Sequence, residues 1–389
     1  MRIYRGFSRK LSFAAFVLLF FVTGCGSGGG GDASSGSGGN GGSSGPPDST
    51  VPTVTTMSPG EDTAGIATNT RLTATFSEAM TTADINTDNF RLTDGSVAGD
   101  GVTLILYPGT VSYDATNNIA VFTPSGNLAP NTRYIATVVT GIKDPAGNPL
   151  MTDFAWDFTT SGTPDSTAPA VTSTSATGMA INRKISATFS EEMNSSTLTP
   201  ASFTVTGPGA TPVSGAVTYH DRTAIFTPAN NLAATTTYTA TITTGATDLA
   251  GNASQANTWS FTTTSGADVT APVVNSTDPA NAASSVAING TINVSFNESM
   301  NPATITTANF MVTGPGGIPV MGTVAFDASN NTATFTRHNH LITPVDFHPT
   351  PVSYLDPGTT YTVALTTGAR DMAGNPVASD LIWSFTTAP

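Results

Sequence analysis

From residue 48 onward the apolar residues recur with a period of two. Leu72, Ala74 and Phe76 alternate with Thr73 and Thr75, and the pattern returns as Ile185, Ala187, Phe189 and as Ile292, Val294, Phe296. Tyr134, Ala136 and Val138 likewise reappear as Tyr238, Ala240, Ile242 and as Tyr361, Val363, Leu365. Successive side chains of a strand point to opposite faces, so each run predicts a strand with one buried face. In the middle copy the runs AVTST, ISATFSE, SFTVTG, GAVTYH, TAIFTP, TYTATIT and TWSFTT give about seven strands, and no stretch carries a long helical period. Lettered A to G in chain order, they predict an Ig-like β-sandwich, with Tyr134, Tyr238 and Tyr361 where a tyrosine corner would stand. The abundant threonine fits outward strand positions, which favour β-branched residues; an ordered threonine array facing ice or glycan would use the same residues.

The strand pattern is delivered three times. DSTVP at 48, DSTAP at 165 and DVTAP at 268 open the copies, and WDFTT at 156, WSFTT at 259 and WSFTT at 383 close them. KDPAGN at 143, TDLAGN at 247 and RDMAGN at 370 lie near each end. Each copy has the size of an ordinary domain with its own core. The fold class is therefore all-β: three tandem Ig-like β-sandwich domains of about seven strands, at 48–163, 164–266 and 267–389.

Four motifs in fixed order carry a family resemblance: FSExM, TPxxxLxxxTxY (TPSGNLAPNTRY and TPANNLAATTTY), DxAGN and WxFTT. They resemble bacterial Ig-like domains of the type first recognised in S-layer proteins, over nearly all of residues 48 to 387. The resemblance implies the sandwich fold, and modules that serve as spacers or binders in surface proteins.

The segment before the repeats differs in kind. Arg2, Arg5, Arg9 and Lys10 precede the apolar run LSFAAFVLLFFV and then TGC, the layout of a cleaved signal peptide at 1–24. The run is too short to span a bilayer. Val22-Thr23-Gly24-Cys25 resembles a bacterial lipobox, which implies lipidation of Cys25, the single cysteine of the chain. Residue 26 is Gly rather than an Asp retention signal, so the outer membrane is the expected address if the cell is Gram-negative. Residues 25–47 are then the lipidated cysteine and a Gly/Ser-rich leash about 25 Å in root-mean-square length. GSGGNG at 36 to 41 matches GxGxxG only by composition, since no strand precedes it and no helix follows.

Loss of that leader takes four of the 13 basic residues and no acidic one, which moves the net charge from −13 to −17. Such a surface repels nucleic acid and attracts cations.

Against this background the carboxylates of the repeats matter. Glu78, Glu191 and Glu298 are equivalent, whereas the second carboxylate of TFSEEM, Glu192, is Ala79 and Ser299 in the other copies. A glycosidase-like pair is supplied once per active site, so one recurring Glu at a strand end does not read as catalytic. The repeats from residue 48 onward hold no GxSxG, HExxH or P-loop, and the expectation is no enzyme. If strands A to G alternate in direction, the start of A and the B–C and F–G loops share one end of each sandwich. That gathers Asp165, Glu191 and Asp248 at the junction of domains 1 and 2, and Asp268, Glu298 and Asp371 at that of domains 2 and 3. Oxygen-rich clusters of this kind suit Ca²⁺, the one cofactor considered; Asp and Asn capping turns would select the same residue types. DINTDN at 84 to 89 imitates the start of an EF-hand loop but lacks its Gly at position 6 and has Gly95 where Glu is needed.

Domain 3 departs from the pattern at 337–354, RHNHLITPVDFHPTPVSY. Eleven residues separate Phe122 from Tyr134 and Phe226 from Tyr238, but 25 separate Phe335 from Tyr361. This E–F insert carries His338, His340, Asp346 and His348, either a binding loop for a transition metal or a solvated loop with incidental histidines. Strand alternation places it at the end away from the preceding unit, the tip furthest from the lipid anchor.

The functional expectation is a non-enzymatic, exported, lipid-anchored rod of the bacterial cell envelope acting as a stalk, adhesin or envelope-interaction module, held to the membrane through its anchor and facing envelope glycan or surface protein. The sequence closes on the third WSFTT, so no separate catalytic domain is expected. The alternative is a ligand-binding protein or enzyme accessory that uses the domain 3 tip loop for glycan, metal or protein.

Overall fold

The computed structural model describes residues 48–97, 103–175, 177–337 and 355–389. The expected signal peptide, Cys25 with its leash, and His338, His340, Asp346 and His348 of the insert lie outside the described residues. Residues 48–389 form one compact unit.

Module 1 contains β1 (Val54–Ser58), β2 (Thr63–Ile66), β3 (Leu72–Phe76), β4 (Phe90–Thr93), β5 (Gly109–Asp114), β6 (Ile119–Pro124), β7 (Arg133–Val138) and β8 (Phe154–Thr160). Module 2 contains β9 (Val171–Thr174), β10 (Ile185–Phe189), β11 (Phe203–Thr206), β12 (Gly215–His220), β13 (Thr223–Pro228), β14 (Thr237–Ile242) and β15 (Asn257–Thr262). Module 3 contains β16 (Val274–Asp278), β17 (Ala283–Val286), β18 (Ile292–Phe296), β19 (Phe310–Thr313), β20 (Gly322–Asp327), β21 (Thr332–Arg337), β22 (Thr360–Leu365) and β23 (Leu381–Thr387). Every strand read from the middle copy is present there.

Each module is a sandwich of two sheets. In module 1 they run β1-β3-β6-β5 and β2-β8-β7-β4, and in module 3 β16-β18-β21-β20 and β17-β23-β22-β19. Module 2 pairs β12-β13-β10-β9 with the three-stranded β11-β14-β15. The short strands β2 and β17 join the last strand of their modules in parallel, an eighth strand that the alternation did not reveal. In module 2 a single parallel bridge, Met179 to Thr263, stands in its place.

The alternating residues meet between the sheets, where Leu72, Phe76, Phe90, Phe122 and Trp156 pack as one core in module 1 and Ile185, Phe189, Phe203, Phe226 and Phe261 as another in module 2. Burial of each such side chain contributes about 1.5–3 kcal/mol. The three tyrosine corners are closed: the hydroxyls of Tyr134, Tyr238 and Tyr361 accept from the amides of Ala129, Ala233 and Asp356 at 2.9, 2.9 and 2.8 Å. Outward threonines pair across strands, Thr237 with Thr262 at 3.0 Å and Thr241 with Thr258 at 3.1 Å, which spends their hydroxyls on one another.

The modules do not stand in single file, which corrects the expectation of a rod. Ile119 and Val121 point out of module 1's sandwich yet belong to the buried cluster of module 2. Strand β1 of module 1 also lies against β20 of module 3, and Thr53 Oγ1 is 3.3 Å from Thr307 Oγ1. Modules 1 and 3 therefore touch as well as flanking module 2.

Candidate metal centres

The recurring acidic residues come together as the alternation of strands requires. In each module a carboxylate ahead of the first strand, one just after the second long strand and one at the turn before the last strand have ligand atoms within 4.8 Å of one another. The groups are Asp165, Glu191 and Asp248; Asp268, Glu298 and Asp371; and Asp48, Glu78 and Asp144. Sequence reasoning confined itself to the two junctions and missed the third group, although the same DST, FSE and DPAGN phrases mark it.

Local chemistry fixes two of the three carboxylates. In DLAGN, Asp248 Oδ1 accepts from the Asn252 amide at 2.8 Å and Oδ2 from Asn252 Nδ2 at 2.9 Å. Gly251 takes φ 97°, a left-handed conformation that favours glycine. Asn148 and Asn375 hold Asp144 and Asp371 in the same way. Ahead of the first strand, Asp165 Oδ1 accepts from the Thr167 amide at 2.8 Å and Asp268 Oδ1 from the Thr270 amide at 2.9 Å. Asn252 Nδ2 reaches on to Asp165 Oδ2 at 3.4 Å and so joins the two aspartates. The turn-capping reading of DxAGN is thus realised, and the clustering exists beside it.

The glutamate is placed by pairing of the B–C segment with the F–G turn, through bridges from Met193 to Asp248 and from Met300 to Asp371. It lacks the donors its neighbours have: Glu78 Oε1 is buried with no hydrogen-bond partner. Burial, followed by the charges of Asp165 and Asp248, pushes the Glu191 carboxyl up to about 7. Glu78 and Glu298 are also raised, by burial first and then by their two aspartates, with Asp144 ahead of Asp48 and Asp371 ahead of Asp268. Each cluster therefore crowds its glutamate with negative charge, and in module 1 one oxygen of that glutamate is also without a donor.

The two junctions differ in what faces them. Asn69 of module 1 clamps the backbone of Asp165, its Oδ1 2.7 Å from the Asp165 amide and its Nδ2 2.9 Å from the carbonyl. Asn182 clamps Asp268 in the same fashion, at 2.8 and 2.9 Å. A cavity of about 190 Å³ lined by Pro59, Thr70, Asp165 and Glu191 separates module 1 from the second cluster. At the other junction Arg183 moderates the rise of Glu298, and the half-buried Lys184 ammonium, lowered by burial, feels Asp371. Among the described residues no basic side chain acts in this way on Glu191.

The EF-hand-like string turns inward on its own backbone. Asn86 Nδ2 donates to the Ala83 carbonyl at 3.0 Å, Asn86 Oδ1 accepts from the Asp88 amide at 2.9 Å and Asn89 Nδ2 donates to the Asp84 carbonyl at 2.9 Å. These are loop bonds of the kind Asn and Asp make to nearby backbone.

A family model described as bacterial Ig-like domain matches residues 48–160, 165–263 and 268–387. Among solved structures the chain is similar to the N-terminal part of the bacterial S-layer protein SbsC, at 18% identity over 56% of this chain and 44% of that one, with a TM-score of 0.23. It is also similar to the copper resistance protein PcoC from Escherichia coli, at 19% identity over 28% of this chain and 98% of that one, with a TM-score of 0.23. The FN1–FN3 domains of chicken CNTN1 align at 13% identity over 84% of this chain and 99% of that one, with a TM-score of 0.19. No curated protein matches the chain.

Proposed function

The chain belongs to the bacterial Ig-like domain family, in three consecutive copies, and from this premise we propose that it is a non-enzymatic module of the bacterial cell envelope, a stalk or adhesion element tethered by a lipid on Cys25. The observation that carries this reading is recurrence by module. The same carboxylate set appears three times, once per sandwich, at the same place in the fold. A scaffold repeats its fittings with every unit, whereas acid/base chemistry needs one asymmetric pair per site. The partners proposed are envelope glycan or surface protein, and the address is the outer membrane if the cell is Gram-negative.

The tether has a direct test. Cys25→Ser is expected to move the processed protein from the membrane to the soluble fraction with its far-ultraviolet circular dichroism unchanged, because residues 48–389 contain no cysteine. Two or three acyl chains hold a protein stably on a membrane, at about 0.8 kcal/mol per buried methylene. A processed mutant that stays in the membrane fraction would sink the anchor.

The carboxylate clusters are proposed as calcium sites. Calcium takes 6–8 oxygens at about 2.3–2.6 Å, so ligands of one ion lie within about 5 Å of each other. Ligand atoms within 4.8 Å meet that condition, and the orphaned Glu78 Oε1 is the atom a cation would satisfy. Backbone carbonyls and water would complete the shell.

A further inference from the structure

The turn that follows β12 in module 2 lies where the three modules meet. Asp221 and Arg222 are both left-handed there, at φ 48° and 59°, and make a tight turn where modules 1 and 3 carry the longer DATNN and DASNN. The Tyr219 amide donates to Asn117 Oδ1 of module 1 at 2.6 Å, and Asp221 Oδ2 accepts from the Phe326 amide of module 3 at 2.6 Å. These bonds hold the modules around a cavity of about 330 Å³ to which all three contribute. Its size falls at the lower end of the range for small-molecule sites, about 300–1,000 Å³.

The lining brings both signs of charge together. Glu61 and Asp62 come from module 1, Glu192, His220 and Asp221 from module 2, and Arg337 from module 3. Glu192 already has a partner, since its Oε2 accepts from the Tyr219 hydroxyl at 2.7 Å. His220 is 8% exposed, and neither of its ring nitrogens has a hydrogen-bond partner. Buried polar groups are almost always paired, so an imidazole left in this state points to something that pairs with it. Burial lowers His220, which is therefore uncharged at neutral pH and keeps one nitrogen lone pair for a donor. Among the described residues neither Asp221 nor Arg337 takes part in an ion pair.

The chemistry of the lining narrows the occupant. An anion would face several carboxylates, and a simple cation would leave the Arg337 guanidinium beside it unmatched. A metal ion does not fit either: among the described residues the acidic groups whose ligand atoms lie within 4.8 Å of one another are the three clusters already described, and none of them borders this cavity. What matches is an extended molecule with one carboxylate and more than one ammonium. Ile119 and Val324 add an apolar wall for a methylene stem between those ends. We propose that the cavity is a binding site for a basic amino acid of the lysine class, with its carboxylate on Arg337 and its ammonium groups among Asp62, Asp221 and the free lone pair of His220. The guanidinium suits a carboxylate by its fork of N–H donors, and an ammonium donates to carboxylate and imidazole alike. The inference goes beyond the envelope role, since such a site requires neither lipid, calcium nor glycan.

Calorimetric titration of the full chain carrying Cys25→Ser tests the assignment at neutral pH, with chelator present so that the carboxylate clusters hold no ion. L-Lysine is expected to bind one molecule per chain. Norleucine, which lacks the second ammonium, and 1,5-diaminopentane, which lacks the carboxylate, should each bind at least about tenfold more weakly, the scale of one hydrogen bond to a charged group. Arg337→Ala should weaken lysine by about the same factor and leave the diamine unchanged, because it removes only the partner of the carboxylate. His220→Ala should weaken both ligands. The ligand series on the parent chain needs no variant, so the assignment stays testable should His220→Ala fail to fold. No heat from lysine at millimolar concentration, equal affinities for the three ligands, or a lysine affinity indifferent to Arg337→Ala would overturn it.

Discussion

Millimolar calcium added to chelator-treated protein is expected to raise its melting temperature by on the order of 10 °C at pH 8, and by much less at pH 5. A ligand that binds only the folded state adds RT ln(1 + [L]/Kd), about 2.7 kcal/mol at a hundredfold excess. For domains of this size one kcal/mol moves the midpoint by roughly 4 °C. The pH dependence follows from the glutamates. Without an ion, Glu191 is raised above its ordinary value, so its contribution to stability is present in acid and is lost as pH climbs toward about 7. A bound cation stabilises the ionised form and removes that loss. The junction between modules 1 and 2 should respond more than the next one, where Arg183 and Lys184 already offset Glu298 and Asp371. Glu191→Gln is therefore expected to abolish more of the calcium response than Glu298→Gln. If midpoints at pH 8 are the same in calcium and in chelator, the clusters are turn fittings without an ion, and the envelope reading stands unaffected.

The strands were legible because alternation survives wherever one face is buried and the other wet. The clusters were legible because strand alternation alone decides which loops share an end of a sandwich. What escaped falls outside those two rules. Strands β2 and β17 have four residues each and pair in parallel, too short for a period to declare itself. The packing between modules did leave a trace. Strand β6 opens IAVF with all four residues buried, while β21 at the same place reads TATF and buries only Ala333 and Phe335. A fully apolar run marks a strand covered on both faces, and here the second cover is the next module. Glu192 was set aside because it does not recur. Yet a contact that only the middle module can make has to be built from residues only the middle module carries, and His220, Asp221 and Glu192 are such residues.

Alanine in place of Gly215 is expected to destabilise module 2 by about 2–3 kcal/mol, the upper part of the range for overpacking. Gly109, Gly215 and Gly322 open the edge strands β5, β12 and β20, each beneath an aromatic ring of the neighbouring strand. A Cβ on Gly215 would fall 2.5 Å from the Phe226 ring and 2.6 Å from the Thr227 carbonyl oxygen. On Gly109 it would meet Phe122 at 2.6 Å, and on Gly322 it would meet Phe335 at 2.4 Å. Rings of the core cannot swing away without opening a void, and a carbonyl in a strand ladder cannot retreat without losing its pairing. Gly126→Ala is the control: it is exposed, no atom lies within 4 Å of its added methyl, and the effect should stay within about 0.5 kcal/mol. The consequence should travel along β12, because the strand that begins at Gly215 carries Tyr219, whose hydroxyl donates to Glu192 and whose amide donates to Asn117 of module 1. Gly109→Ala is expected to weaken module 1 in the same way, through Phe122. A Gly215→Ala chain that melts within about 2 °C of the parent would show that the Phe226 ring does not lock this strand in place.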